Sequence, residues 1–354
     1  MKSSGFSKEK VISNIMIKFT RMFNIKQIQF FIRNKYDSLS KRIKAFFKKS
    51  KNLLNINIEI GLYHFYKGNI SDAKLRFYLI NIFYSHLPIA WYNIGRCHFA
   101  LGNTDKAYYY LMKAFKLDNN HEETLYYIKK MKNPAEIENL PKNLIKQYFD
   151  YTGEYFVEHW LIARQYRGHE LIHMAITKVF SNNLTADLDI LDLGCGTGIC
   201  GYFFKVNNVG RYITGVDISN RMLNIARGCC IKGKSVYNEL IHTEITDFLR
   251  QEKNCQYDVI IFAEVLHYIS DFQLELELAK RSLKKRGVIV CLVRRKETEG
   301  IDFINRGDYF RHSESYVKNV AKEIEMQISY ISYSKIYGSQ IDGILFALQH
   351  KQSN

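Results

Sequence analysis

Apolar and polar positions follow two different spacings along this chain. Between residues 53 and 120 small and apolar residues recur in a long repeat, whereas between 188 and 349 short runs of Leu, Ile and Val alternate with amphipathic stretches. Short continuous apolar runs separated by helices are typical of strands buried on both faces of a parallel sheet. The second pattern therefore predicts an α/β domain.

The α/β segment begins with the apolar run 188–193, and a helical stretch starts at residue 199. Three closely spaced glycines lie between them: Gly194, Gly196 and Gly198. Glycine lets the backbone turn sharply and lets a ligand approach without a Cβ in the way, and such a turn is the nucleotide pocket of doubly wound folds. The next predicted strand ends in Asp217, where a carboxylate can accept both ribose hydroxyls of a nucleoside. Capping of the helix at 220–227 is an alternative role that is compatible with the first.

Further apolar runs predict the remaining strands. They lie at 237–244, 257–263, 283–293 (where a helix end and a turn come first), 326–334 and 341–349. The last two are joined through Tyr337 and Gly338 and predict a closing hairpin. Asp258 lies at the start of its strand, away from the expected pocket, and is predicted to be structural.

Residues 53–120 contain an internal repeat with a period of thirty-four residues. Four residues recur in register: Gly61, Gly68, Ala73 and Phe77 become Gly95, Gly102, Ala107 and Leu111. The period and the residue types resemble tetratricopeptide repeats, with Trp91 at the aromatic position. Residues 121–131 are predicted to form a capping helix, and Pro134 and Pro141 mark a linker at 132–147.

The glycine turn and the acid after the second strand resemble the first two motifs of class I S-adenosylmethionine-dependent methyltransferases. The matching residues are Asp192-Leu-Gly-Cys-Gly-Thr-Gly198 and Gly215-Val-Asp217. A dinucleotide-binding turn would instead read G-x-G-x-x-G. Methyltransferases that carry N-terminal tetratricopeptide repeats show stretches similar to Tyr148-Phe-Asp150 and Tyr166-Arg-Gly-His-Glu-Leu171. The resemblance implies a seven-stranded, Rossmann-like domain at 148–354, preceded by an all-α repeat domain at 53–131, with S-adenosyl-L-methionine as the cofactor.

By this resemblance, the cofactor contacts lie where the strands end. Asp192 and the turn would face the methionine moiety, and Glu244 would accept the adenine amino group, with Asp247 as the alternative. The expected cofactor-binding residues are Asp192, Gly194, Cys195, Gly196, Gly198, Asp217, Ile218, Glu244, Ile245, Glu264 and Arg167. Arg167 would pair with the cofactor's carboxylate, although a plain surface position is an equal alternative.

The catalytic residue is not identified from the sequence, but three candidates follow from the resemblance: His267, His312 and Tyr309. His267 follows the fourth strand and could act as a base or as a packing residue. The segment of Tyr309 and His312 is similar to one that lines acceptor pockets in the family. A helix N-cap at Ser313, with Glu314 in the first turn, is the alternative for this segment.

The formal net charge of +16 is concentrated at the N-terminus. Residues 1–52 contain fourteen Lys or Arg against Glu9 and Asp37, a balance of +12, which leaves +4 for the rest of the chain. Within this arm, six apolar residues share one helical face: Ile12, Ile15, Met16, Phe19, Met22 and Phe23. Such a basic amphipathic helix could dock on the following domain or lie on an anionic membrane surface, and an organelle transit peptide is a further alternative.

Composition narrows the functional classes. Seven cysteines without a C-x-x-C pair predict neither a disulfide framework nor a zinc site, and a cytoplasmic protein, peripheral to a membrane in one alternative, is expected. Nucleic acid is not expected as a partner, because the charge is separated from the pocket and nucleobase-methylation signatures are missing.

The sequence predicts methyl transfer to a small-molecule or protein acceptor, with the repeats docking a protein partner or the substrate. The alternative is a repeat-based scaffold whose methyltransferase domain is catalytically silent. The acceptor and the oligomeric state do not follow from the sequence.

Overall fold

The computed structural model describes residues 53–180, 187–252, 256–338 and 340–351. The chain divides into two compact units, Met1–Ile60 and Gly61–Asn354, and the described part of the first unit, 53–60, is helical. The amphipathic helix predicted for the N-terminal arm lies outside the described residues. Among the described residues, no helix has the length and apolar character needed to cross a bilayer.

Five helices correspond to the predicted repeats and their cap. They are α1 (53–66), α2 (Ile70–Tyr84), α3 (Pro88–Ala100), α4 (Thr104–Leu117) and α5 (Glu122–Lys132). A Cβ placed on Gly61 would lie 2.7 Å from the ring of Phe77, and one placed on Gly95 would lie 2.8 Å from Leu111. The same small-against-large contact therefore occurs twice, thirty-four residues apart, as the internal repeat predicts.

The segment predicted as a linker is packed against the α/β domain. A short 3-10 turn, Pro134–Glu136, leads to helix α6 (Lys142–Thr152). The Leu140 N–H donates to the Tyr268 carbonyl (3.2 Å), and the Ser270 N–H donates to the Glu138 carbonyl (3.1 Å). Gly61–Asn354 accordingly forms one compact unit, while the predicted domain boundaries stay a prediction.

A seven-stranded sheet forms the centre of the α/β region. Its strands are β1 (Asp189–Leu193), β2 (Tyr212–Asp217), β5 (Glu239–His242), β6 (Tyr257–Ala263), β7 (Leu283–Arg294), β10 (Met326–Tyr337) and β11 (Gln340–His350). Their order across the sheet is β10-β11-β7-β6-β1-β2-β5. All neighbours pair in parallel except β11, which is antiparallel to both β7 and β10. The predicted closing hairpin is confirmed.

Helices cover both faces of this sheet. They are α7 (Gly168–Val179), α8 (Ile199–Val206), α9 (Asn220–Gly228), α10 (Ile245–Gln251), α11 (Gln273–Ser282) and α12 (Glu314–Glu323). Side chains of α7, α8 and α9 share one buried apolar cluster with the sheet, and those of α10, α11 and α12 share the other. Burial on both faces explains why the central strands are continuous apolar runs.

The structure differs from the sequence prediction in two places. The run at 283–293 contains no separate turn, because α11 ends at Ser282 and β7 begins at Leu283. Two pairs of short antiparallel strands were not predicted: β3 (Cys230–Ile231) with β4 (Lys234–Ser235), and β8 (Ile301–Ile304) with β9 (Tyr309–His312). Strands of two to four residues carry too little periodicity to be recognised.

Candidate functional site

The glycine turn between β1 and α8 has two different faces. Gly194, Gly196 and Gly198 all have positive φ angles (74°, 54° and 85°). A Cβ on Gly194 would lie 2.3 Å from Val265 Cγ2, whereas the nearest atom to a Cβ on Gly196 is the Gly194 carbonyl oxygen at 4.0 Å. Gly194 is therefore required for packing, while the backbone at Gly196 borders open space that a ligand can approach.

Asp217 ends β2 beside this turn. Its Oδ2 accepts a hydrogen bond from the Gly196 N–H (2.9 Å), and its Oδ1 accepts one from the Ser219 N–H (2.8 Å). Burial raises the pKa of this carboxyl group to about 6. The N-cap of α9 is Ser219, whose hydroxyl accepts from the Met222 N–H, so the alternative capping role does not belong to Asp217.

Asp192 lies next to the turn within β1 and is fully buried. Its Oδ2 accepts a hydrogen bond from the Tyr237 hydroxyl (2.6 Å), but its Oδ1 has no partner among the described residues. Burial, opposed by the bond from Tyr237, raises the pKa of this carboxyl group to about 7. A buried carboxylate oxygen without a donor is costly, and Oδ1 is therefore able to accept a hydrogen bond from a bound ligand.

Tyr237 was not singled out from the sequence. Its hydroxyl donates to Asp192 and accepts from the Gly201 N–H (3.2 Å), which ties α8 to β1. A tyrosine before an apolar run gives no signal of this role, because the contact joins residues 45 positions apart.

Glu264 is the centre of a buried polar cluster at the end of β6. Its carboxylate accepts hydrogen bonds from Arg294 Nη2 (2.9 Å) and from the Tyr337 hydroxyl (2.7 Å). The Arg294 guanidinium also stacks on the ring of Tyr309, 3.9 Å from its centre. Although burial opposes it, the charge of Arg294 lowers the pKa of Glu264. Glu264 has a φ angle of 59°, a strained conformation for a residue with a side chain.

Arg294 and Tyr337 are site residues that the sequence analysis missed. They end β7 and β10, which both run antiparallel to β11 and therefore end at the same edge of the sheet. A charged residue that closes a long apolar run was the available signal for Arg294. Tyr337 is brought to the site only by the register of the hairpin.

Two of the three catalytic candidates are buried histidines. His312 is fully buried, and its Nε2–H donates to the carbonyl oxygens of Ser270 (2.8 Å) and Ile269 (3.1 Å). Burial lowers the pKa of His312 to about 4. Ser313 caps α12 by accepting from the Tyr316 N–H, so the N-cap alternative for this segment is confirmed.

The imidazole of His267 lies nearer to the polar cluster. Its Nδ1 is 3.7 Å from Glu264 Oε1, and neither ring nitrogen has a hydrogen-bond partner in the part of the chain that the structure describes. Burial and the charge of Arg294 lower the pKa of His267 to about 3. The imidazole is therefore neutral, and such a low pKa makes it a weak proton acceptor.

The residues expected around adenine lie on the loops after β2 and β5. Ile218 and Ile245 are both partly exposed there. The Glu244 carboxylate caps α10 by accepting from the Asp247 N–H (3.1 Å) and forms an ion pair with Lys142 (2.9 Å). These contacts occupy much of the hydrogen-bonding capacity that was predicted to meet the adenine amino group.

Helix α6 contacts the loops that follow β2 and β6. Asp150 Oδ1 accepts a hydrogen bond from the Ser219 hydroxyl (2.7 Å), and Phe149 faces Tyr268 with ring centres 6.2 Å apart. Arg167 is exposed and pairs with Glu170 (3.0 Å). Its predicted contact with the cofactor stays a prediction.

Comparison with known proteins identifies two segments. Residues 184–340 match the family described as methyltransferase domain, and residues 88–121 match the tetratricopeptide repeat. The demethylmenaquinone methyltransferase of Tropheryma whipplei is 33% identical over 109 residues, which cover 30% of this chain and 43% of that protein. The ubiquinone biosynthesis O-methyltransferase of Colwellia psychrerythraea is 24% identical over 151 residues, or 42% of this chain and 59% of that protein. The chain thus spans about half the length of these relatives.

Among solved structures, the 1,6-didemethyltoxoflavin-N1-methyltransferase of Burkholderia thailandensis is one to which this chain is similar. That structure contains 1,6-didemethyltoxoflavin and S-adenosylhomocysteine. It aligns with a TM-score of 0.48 at 10% identity, covering 62% of this chain and 94% of that one.

Proposed function

We propose that this chain is a class I S-adenosylmethionine-dependent methyltransferase with N-terminal tetratricopeptide repeats, and that it transfers the methyl group of S-adenosylmethionine to a small-molecule acceptor. The observation that carries the proposal is the pair of buried carboxylates, Asp192 and Asp217, beside the turn at Gly196. An amino acid joined to a nucleoside has the complementary groups, an ammonium and a ribose diol.

The described residues fit this cofactor. We propose that Asp192 Oδ1 accepts a hydrogen bond from the ammonium group, because it is buried and has no partner within the described ranges. Asp217 would accept the ribose hydroxyls, while Ile218 and Ile245 would cover the two faces of the adenine. When bound, S-adenosylmethionine supplies an electrophilic methyl carbon.

The protein's own contribution to the reaction is then mainly geometric. The acceptor atom has to lie in line with the methyl–sulfur bond at an attack distance of roughly 3 Å. We assign no general base, because His267 and His312 have pKa values of about 3 and about 4. An acceptor that loses its proton to water requires none.

A small molecule is the better supported acceptor. The polar cluster at the end of β6 is enclosed by Tyr309 and Tyr337, and Arg294 and Glu264 within it are almost fully buried. Such surroundings favour a planar molecule over an exposed side chain of a folded protein. The two curated relatives are named for small-molecule reactions as well.

Calorimetric titration with S-adenosylhomocysteine tests the cofactor site. We expect Asp217→Ala to weaken binding by about 10- to 150-fold, since hydrogen bonds to a charged group contribute about 1.5–3 kcal/mol. Asp189→Ala is the matched control, because Asp189 lies at the opposite end of β1 and pairs with Arg211 and Lys284. Equal affinity of the native protein and Asp217→Ala for S-adenosylhomocysteine would refute the assignment of the cofactor site to this turn.

A labelled-methyl assay then tests the acceptor class. Cell extract is separated by ultrafiltration, and each fraction is incubated with the enzyme and methyl-labelled S-adenosylmethionine. Label in products of the small-molecule fraction supports the proposal, whereas label only in retained protein identifies a protein acceptor. Cofactor binding without transfer to either fraction would favour the catalytically silent scaffold. A protein partner for the repeats and an anionic membrane surface for the N-terminal arm stay predictions from the sequence.

A further inference from the structure

Helix α5, which caps the repeats, holds the turn of the β8–β9 hairpin. The Tyr126 hydroxyl donates to Asp308 Oδ1 (2.7 Å), and the Lys130 ammonium forms an ion pair with the same carboxylate. The Lys130 side chain is only 7% exposed. A buried lysine is tolerated only when it is paired, so this contact determines where the turn lies.

Apolar packing supports the same contact. Tyr126 and Tyr127 of α5 share a buried cluster with Phe310 of β9, and the rings of Tyr126 and Phe303 lie 6.5 Å apart, edge to face. Asn305 Nδ2 also donates to the Lys130 carbonyl (3.4 Å). The hairpin therefore shares a buried apolar cluster with the helices of the repeats.

The residue after Asp308 extends from this contact into the polar cluster. Tyr309 carries the Arg294 guanidinium on one face, 3.9 Å from the ring centre, and Arg294 in turn binds Glu264. Tyr309 also lines a cavity of about 360 Å³, together with Lys296 and Arg311. Three residues thus connect helix α5 to Glu264 at the end of β6: Asp308, Tyr309 and Arg294.

We propose that Asp308 is a positioning residue for the acceptor site, and that Tyr126 and Lys130 of the capping helix α5 hold it so that Tyr309 is kept against Arg294. The repeats then form part of the pocket that selects the acceptor, in addition to any partner they dock. The proposal rests on the proposed function for the identity of the pocket, but the placement of Tyr309 can be measured without an acceptor.

Fluorine NMR on the full chain provides the test. Tyr309 is replaced by 3-fluorotyrosine, whose resonance responds to the guanidinium stacked on the ring. We expect Lys130→Met to shift and broaden this resonance and Tyr126→Phe, which removes one hydrogen bond and keeps the ring, to cause a smaller change in the same direction. Lys129→Met is the matched control, because Lys129 is the neighbouring lysine on α5. Within the described residues, its side chain donates a hydrogen bond only to the Glu136 carbonyl.

The outcomes separate positioning from plain stabilisation. If Lys130→Met lowers the melting temperature but leaves the Tyr309 resonance unchanged, the pair is structural only and the proposal is overturned. If Lys130→Met does not fold, an unchanged resonance in Tyr126→Phe overturns the proposal equally. We also expect S-adenosylhomocysteine affinity to stay within about twofold of native in both variants, since neither residue contacts the glycine turn. If the proposed function is wrong, the calorimetry will show equal affinity of the native protein and Asp217→Ala. The NMR experiment does not depend on that result, because it measures the position of Tyr309 without a ligand.

Discussion

Asp192 and Asp217 each carry a carboxyl group whose pKa burial raises, to about 7 and about 6. When folding raises the pKa of a carboxyl group, its neutral form stabilises the folded protein. This stabilisation is complete at a pH below the pKa of the group in the unfolded chain, and it is lost as the pH rises through the pKa in the folded protein. Without ligand, these two residues therefore favour folding most at about pH 4, and they contribute less as the pH approaches 7. The ionised form, in contrast, is the form that binds an ammonium group.

Cofactor affinity should consequently fall with acidification. We expect the affinity for S-adenosylhomocysteine to weaken below pH 7, approaching about tenfold per pH unit once Asp192 is protonated. Calorimetry between pH 5.5 and 8 measures the change. Asp192→Asn should bind weakly throughout and show a much shallower pH dependence. If Asp192→Asn shows the same dependence of affinity on pH as the native protein, a group other than Asp192 takes up the proton that weakens binding.

His312 is expected to act in stability rather than in chemistry. His312→Ala removes the hydrogen bonds to Ile269 and Ser270 and should lower the free energy of unfolding by about 1–3 kcal/mol, with S-adenosylhomocysteine affinity unchanged. Denaturant unfolding and calorimetry measure the two quantities. A variant of native stability that has lost methyl transfer would instead place His312 among the catalytic residues.

The site could be predicted from the sequence only where its residues lie within one motif. Gly194, Gly196 and Asp192 are neighbours in the chain, and Asp217 ends the next strand, so spacing alone brings them together. Arg294 and Tyr337 come from strands that meet through the hairpin register. The engagement of Glu244 by Lys142 depends on where α6 packs, and local sequence does not encode that position.

At the scale of elements, the repeat helices depend on small residues at their crossings. Gly95→Val would place its added atoms against Leu111, where a Cβ already lies within 2.8 Å, and overpacking of this kind costs about 1–3 kcal/mol. Chemical unfolding measures the loss. Gly228→Ala is the matched control, because no atom lies within 4 Å of the added Cβ, and it should change stability by less than about 1 kcal/mol.

Long elements were predicted well and short ones were not. The period of thirty-four residues located α2 and α4, and five buried apolar runs located β1, β2, β6, β7 and β11. The strands of the β8–β9 hairpin have four residues each, and β8 is only partly buried, so they show no clear alternation. Their position depends on contacts between distant parts of the chain: Tyr126 and Lys130 of α5 bind Asp308, and Phe310 packs against α5.

At the scale of the whole molecule, the shared core of the repeats and the hairpin predicts that residues 61–354 unfold together. Trp91 lies in the repeats, and Trp160 packs against Tyr337 near the site. Thermal unfolding followed by fluorescence in Trp91→Phe and in Trp160→Phe therefore reports on each half separately. We expect coincident transitions, whereas midpoints that differ by many degrees would show that the two halves unfold independently.

The attachment of the β8–β9 hairpin to α5 also limits how this chain can be recombined. A chimera that joins these repeats to another methyltransferase domain would bury Lys130 without its carboxylate unless that domain supplied an equivalent of Asp308. A graft that carries residues 301–312 along with the repeats keeps the lysine neutralised, and it is the exchange that engineering should attempt first.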